Sequence, residues 1–208
     1  MTQALTLPYE GSLEGQVVTL SPLTWDDVPA LMTVARAAPD EFDLTSTPRD
    51  DAEAQAYFGE ALSEVASGSA YLVTVRDRDG AIIGTSRIRA FDRRHMRCEL
   101  GYTWYHPSVF RTAVNTECKL MLLEFAFERL GVNRVQLQTD ARNVRSQKAI
   151  LALGARHEGV LRRHMIAKDG YVRDSVIFAI TDVTWPSVRL GLRERLDRRL
   201  AAAGHVPG

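Results

Sequence analysis

Cysteine is scarce in this chain: two residues of 208, Cys98 and Cys118. Neither belongs to a Cys-x-x-Cys pair and no His-Glu-x-x-His spacing occurs, so a disulfide framework and the common metal motifs are excluded. Both thiols are read as core residues, where free cysteines usually lie, and no metal is expected. An excess of one charge is missing too. The 26 Lys and Arg offset 26 Asp and Glu, which leaves no footprint for nucleic acid. No apolar run approaches the length of a membrane span, and the N-terminus lacks a basic region followed by an apolar stretch. A cytoplasmic protein without membrane contact is the expectation. Gly-x-Gly-x-x-Gly and the Walker A pattern are also absent, against nucleotide cofactors of those kinds.

What is present is enough apolar content, 45%, for one good core and a single main domain. Residues 1–15 read as an N-terminal arm, 16–183 as the domain and 184–208 as a C-terminal helical extension. Within the domain, 16–20 is a short strand, Thr24 starts a helix to about Ala37, and Arg49–Ser67 is a second helix preceded by Pro48. Between them Pro39–Pro48, with Phe42 and Leu44 among polar residues, is either a substrate cover or a solvated connector. Ala70–Arg76, the Asp79-Gly80 turn and Ile82–Ala90 give a hairpin signal. Met96–Tyr105 alternates, with Met96, Cys98, Leu100, Tyr102 and Trp104 on one face and Glu99, Gly101, Thr103 and Tyr105 on the other. Val114–Leu130 is apolar almost all round, the pattern of a buried helix on a sheet. Arg134–Thr139 reads as a strand, a short helix follows Asn143, and 156–167 with 171–180 make a last hairpin. From Pro186 to Ala203, Leu192, Leu196 and Leu200 line one side of a terminal helix and arginines the other. The order describes an α/β arrangement with a mixed sheet.

Two segments carry chemistry. The turn Phe110–Asn115 leads from a strand into the buried helix, and a helix start offers unpaired N–H groups and a dipole to an anion. Arg111 adds a positive charge there. The run Asn143-Val144-Arg145-Ser146-Gln147-Lys148-Ala149-Ile150-Leu151-Ala152-Leu153-Gly154-Ala155 describes a capped short helix with two polar side chains at its N-terminus.

With Glu99–Trp104 (Glu-Leu-Gly-Tyr-Thr-Trp), Asn115–Glu117 (Asn-Thr-Glu) and Gly159–His164 (Gly-Val-Leu-Arg-Arg-His), these segments resemble the GNAT acetyltransferase superfamily, and within it the ribosomal-protein N-terminal (RimJ/RimL-like) branch. The resemblance covers residues 16–180. It implies a mixed central sheet splayed between its fourth and fifth strands, flanked by helices and extended by a C-terminal helix. It also implies acetyl-CoA as cosubstrate and an amine acceptor, a protein N-terminus or a small molecule. By the same resemblance Phe110, Arg111, Thr112, Ala113, Val114 and Asn115 wrap the pyrophosphate, Asn143 and Ser146 face the pantetheine arm, and a backbone N–H near Trp104 or Tyr105 receives the oxyanion. The family pattern in that loop is Gln/Arg-x-x-Gly-x-Gly/Ala, and Phe110, Ala113 and Asn115 depart from it.

Transfer from a thioester to an amine needs a base, because amines are mostly protonated at neutral pH. Glu99 matches the base of histone-type members; the competing reading is a structural Glu paired with Arg87, Arg89 or Arg97. Glu158 is the second candidate. Ile150 stands where many members place an acidic Tyr, and Ser146 matches the proposed thiol partner of the closer relatives. His164 either faces substrate or braces the hairpin, with bracing favoured. The same residues leave open a non-catalytic acyl-CoA-binding protein and an acyltransferase for another acyl-CoA such as succinyl-CoA. A homodimer through the last hairpin or the C-terminal segment is also open.

Overall fold

A computed structural model describes residues 7–204. The chain opens with β1 (Leu13–Glu14), β2 (Thr19–Pro22), α1 (Val28–Arg36) and α2 (Asp51–Ala66). Next come β3 (Tyr71–Arg76), β4 (Ile82–Asp92), β5 (Arg97–Tyr105) and α3 (Val114–Glu124). It closes with β6 (Arg134–Asp140), α4 (Val144–Leu151), β7 (Arg156–Ile166), β8 (Val172–Thr181) and α5 (Trp185–Ala202). The strands form one sheet in the order β1-β2-β3-β4-β5-β6-β8-β7. Every pairing is antiparallel except β5 with β6, as a strand–helix–strand crossover through α3 requires.

The end of the expected arm is a strand, since Leu13 pairs with Leu20 and Glu14 with Thr19. The splayed pair, fourth and fifth in the sequence reading, is therefore β5 and β6. Residues 1–6 and 205–208 of the expected arm and extension lie outside the described residues.

Local sequence explains the helix starts. The Thr24 amide donates to Asp27 Oδ2 (3.2 Å) to open α1, after a 3-10 turn over Trp25–Asp27. Asp50 caps α2 by accepting from the Glu53 amide (2.8 Å), and Glu53 in turn accepts from the Arg49 amide (2.8 Å). The helix expected to run unbroken to Leu130 changes character instead: α3 stops at Glu124 and Phe125–Arg129 forms a π turn, with the Leu130 amide bonded to the Phe125 carbonyl (3.0 Å). The wider turn lets Phe125, Ala126, Phe127 and Leu130 all reach the core, which one stripe of a regular helix does not allow.

Two cores sandwich the sheet. α3, α4 and α5 pack with Val73, Cys98, Leu100, Val135, Leu137 and Phe178 on one face. α1 and α2 pack with Leu72 and Trp104 on the other. Leu192 and Leu196 are 2% and 4% exposed, so these leucines serve intramolecular packing and are not free for a dimer contact.

The alternation expected along β5 fails at one residue. Tyr102 sits at φ 52°, and the register with β4 slips between Thr85 opposite Trp104 and Arg87 opposite Gly101. This bulge moves Tyr102 and Trp104 onto the α1/α2 face with Glu99, and Thr103 and Tyr105 onto the α3 face with Cys98 and Leu100. Arg87, fully buried, holds Tyr102 there with its guanidinium 4.0 Å from the ring centroid.

Candidate active site

β5 and β6 pair only at Arg97–Glu99 with Arg134–Gln136. Beyond that they diverge, and the backbone of Leu100–Tyr105 has no partner on the β6 side. The gap opens into a cleft of about 790 Å³ that passes through the sheet. From the α1/α2 face it is lined by Phe42, Leu44, Glu99, Tyr102, Trp104, Gln138 and Arg173, and from the α3 face by Tyr105, Asn115, Lys119, Leu137, Ile150 and Leu153.

The structure brings together Glu99, Trp104, Tyr105, Phe110, Arg111, Asn115, Asn143 and Ser146 around this cleft. It does not bring in the side chains of Thr112, Ala113 and Val114. Ala113 and Val114 turn into the core, each 7% exposed. Thr112 is occupied locally: its hydroxyl donates to the Val109 carbonyl (2.7 Å) and accepts from the Val114 amide (3.3 Å). Of their backbone amides, Thr112's points to the Val109 carbonyl (3.4 Å) and Val114's to the Thr112 hydroxyl (3.3 Å). Arg111 adopts φ 64°, a left-handed conformation that turns the chain into the helix.

Asn143 caps α4, its Oδ1 accepting from the Ser146 amide (2.9 Å), and it also lines the cleft. Capping and cleft-facing are thus one arrangement, which places Ser146 on the first turn of α4 at the cleft wall.

Glu99 does not pair with Arg87, Arg89 or Arg97. Arg87 and Arg89 bind Glu64, and Arg97 binds Asp92. Glu99 Oε1 accepts instead from Gln138 Nε2 (3.1 Å). Burial raises its pKa above the usual carboxylate value, against the pull of the Gln138 hydrogen bond and of Arg89, Arg87 and Arg173. Glu158 has the opposite setting. Arg134 grips both its oxygens at 2.7 and 2.5 Å, which lowers its pKa, and it lies outside the cleft lining. His164 braces the hairpin through Ser175 Oγ (3.0 Å).

The Pro39–Pro48 segment covers the cleft. Glu41, Phe42 and Leu44–Thr47 line it, an Arg145–Glu41 ion pair ties it to α4, and Lys168 Nζ donates to the Thr47 carbonyl (2.5 Å).

Lys119, Gln138 and Arg173 were missed as site residues. Lys119 is 6% exposed and donates to Thr103 Oγ1 (2.5 Å) and Ser86 Oγ (3.3 Å), with no carboxylate partner among the described residues. Burial lowers its pKa to about 8. The unfolded chain, with an ordinary lysine near 10.5, binds more protons between those two values, so this residue makes stability rise with pH across the window and penalises the fold below about 8. Lys119→Met therefore improves in stability relative to the parent at pH 7 compared with pH 10, read by urea unfolding at both. An unchanged difference at the two pH values contradicts this. The signal in the sequence was a lone charge inside the run Cys118–Leu123 of an otherwise apolar helix. Gln138 carried a similar one, an amide in the middle of a central strand.

Residues 18–156 match the Acetyltransferase (GNAT) domain family, and the chain belongs to that family. Among curated proteins it is 29% identical over 99 residues to an uncharacterized N-acetyltransferase, YoaA of Bacillus subtilis, covering 48% of this chain and 55% of that one. The chain thus spans about half the length of this relative. Among solved structures, a GCN5-related N-acetyltransferase from Brucella melitensis superposes with a TM-score of 0.82 at 24% identity, over 94% of this chain and 90% of the other. RimJ of Mycobacterium smegmatis, solved in complex with CoA-disulfide, gives 0.73 at 22% identity over 94% of both chains. These structures share the fold of this chain.

Proposed function

We propose that the protein transfers an acetyl group from acetyl-CoA to a primary amine by direct attack within the splay of β5 and β6. The observation that carries the reading is the through-going cleft, with a half-buried, raised-pKa carboxylate on one face of the sheet and the head of α3 and Ser146 on the other. Acetyl-CoA, when bound, supplies the acyl thioester. The amides at the start of α3 and the charge of Arg111 suit its pyrophosphate, and the unpaired edge of β5 offers backbone groups to an extended pantetheine arm. A β5 amide near Trp104 or Tyr105 is assigned to the developing oxyanion.

The amine arrives from the α1/α2 side. Glu99 accepts its proton, directly or through water, and the raised pKa brings the carboxylate closer to the working pH of a general base. Ser146 donates to the departing thiolate, a role Ile150 cannot take. Family membership and the RimJ-like fold agree with a protein N-terminus or a small amine as acceptor.

Free-thiol release with acetyl-CoA and a broad amine panel tests the proposal; product with any amine supports it, and none with all of them refutes it. Departures at Phe110, Ala113 and Asn115 motivate a second reading, a non-catalytic acyl-CoA-binding protein, which the same product excludes. Competition between acetyl-CoA and succinyl-CoA fixes the acyl preference. Ser146→Ala slows turnover by about 10-fold, the loss of roughly one hydrogen bond to a charged group; a parental rate removes the assignment.

A further inference from the structure

Four cations and two carboxylates line the cleft: Arg111, Lys119, Arg145 and Arg173 against Glu41 and Glu99. Arg145 and Glu41 neutralise each other. Arg111 lies at the head of α3, and Lys119 is held by hydroxyls on the α3 face. That leaves Glu99 and Arg173, and the register puts both on the α1/α2 face. Glu99 stands opposite Gln136 and Gln138 opposite Ile177, so Glu99, Gln138 and the alternate β8 residues Arg173, Ser175 and Ile177 share that surface.

Two members of this set, Arg173 and Gln138, keep polar capacity that no protein group takes up among the described residues. Arg173 spends Nε on Ser175 Oγ (3.0 Å); its charge acts on Asp140 and Glu99, but it enters no ion pair and its two terminal nitrogens have no hydrogen-bond partner among the described residues, while the side chain lines the cleft. Gln138 donates to Glu99, while its own Oε1 is buried without a hydrogen-bond partner. An orphan acceptor beside a carboxylate suits a group with several N–H donors; an open guanidinium a short way along the same surface suits a carboxylate, bidentate by preference. A zwitterion satisfies both at once. Phe42, Leu44, Trp104 and Met165 supply an apolar wall beside them.

We propose that the acceptor is an amino carboxylate with an apolar body, its amine received between Glu99 and Gln138 and its acid group by Arg173. This deepens the transferase reading above and rests on it. The ammonium gives one proton to Glu99, the free nitrogen forms the amide bond as the thioester C–S bond breaks, the second proton leaves to solvent, and the thiolate is protonated. Amide formation removes the substrate's positive charge, so the product loses its match to Glu99 while keeping that to Arg173, which favours release once the proton has left.

The test pairs each acceptor with its carboxamide: methionine, phenylalanine and 4-aminobutyrate against methioninamide, phenylalaninamide and 4-aminobutyramide. The full chain with acetyl-CoA is expected to favour at least one acid over its amide by 10-fold or more in kcat/KM, Arg173→Gln to level the ratio, and Arg173→Lys to restore part of it. Retained acetyl-CoA binding shows that the variants are folded. Amides used as well as acids, or a preference that survives Arg173→Gln, overturn the inference while leaving acetyl transfer intact. If no amine turns over, calorimetric titration of the same acids into the CoA-saturated protein decides: binding lost in Arg173→Gln supports the subsite although the transferase reading has failed, and no binding of any acid overturns it.

Discussion

Glu99→Gln lowers kcat at pH 7 by about 100-fold or more, within the 10²–10⁴ range of a general base. Gln retains the shape and a hydrogen bond to Gln138, so loss of packing does not account for the effect; what disappears is a proton acceptor. The pH profile separates this from damage to binding. In the parent the rate is expected to rise as Glu99 ionises, and burial shifts that rise upward from the pH of an ordinary glutamate. The variant loses that limb and keeps only the rise due to the amine's own deprotonation, so the gap to the parent narrows toward high pH. A variant profile parallel to the parent's removes Glu99 from the chemistry.

The largest effect on stability is expected at Glu117. This carboxylate, 2% exposed on α3, accepts from the amides of Gln16 (2.6 Å), Val17 (2.7 Å) and Val18 (3.0 Å). It therefore fastens the turn between β1 and β2 to the helix behind the Phe110–Asn115 turn. Gly15 belongs to the same fastening, because a Cβ there would lie 2.6 Å from the Glu117 carboxyl. Glu117→Ala removes three charge-assisted bonds and leaves a buried amide at Val18 unpaired, a loss of about 3–5 kcal/mol. At about 2–4 °C per kcal/mol for a chain of this size, Tm falls by roughly 10 °C. A fall of less than about 2 °C shows that water replaces the carboxylate without cost.

Much of this architecture was legible because the patterns are strong. The apolar run 114–130, the two hairpins and the Asn143 helix each have a period and a boundary residue that name the element. What resisted reading was a matter of one residue at a time. A single bulge at Tyr102 reverses the faces of the last residues of β5, and nothing in Glu-Leu-Gly-Tyr-Thr-Trp marks where the slip falls; the cause, Arg87 stacked on the Tyr102 ring, comes from another strand. The π turn at Phe125 is likewise forced by three-dimensional packing of residues that a regular helix would point apart. At the cleft, the places of Glu99, Asn143 and Ser146 were legible because they sit in the strings that carry the family resemblance. Gln138 and Arg173 were not, since their meaning depends on strands that meet only through the order β5-β6-β8. Glu158 illustrates the converse: a carboxylate close to the motifs in sequence, neutralised by Arg134 across the sheet.

Calorimetric titration of acetyl-CoA into the parent and into Ala149→Trp tests the central claim, that the β5–β6 splay is the acyl-CoA site. Ala149 is an exposed position of α4 that lines the cleft, so an indole there blocks the gap without disturbing the core. The account predicts saturable one-to-one binding to the parent, with a stabilisation of about 2.7 kcal/mol at 100 times Kd, and a loss of at least 10-fold in affinity for Ala149→Trp. Equal affinity in the two proteins places the ligand elsewhere, and no binding to the parent contradicts the account outright.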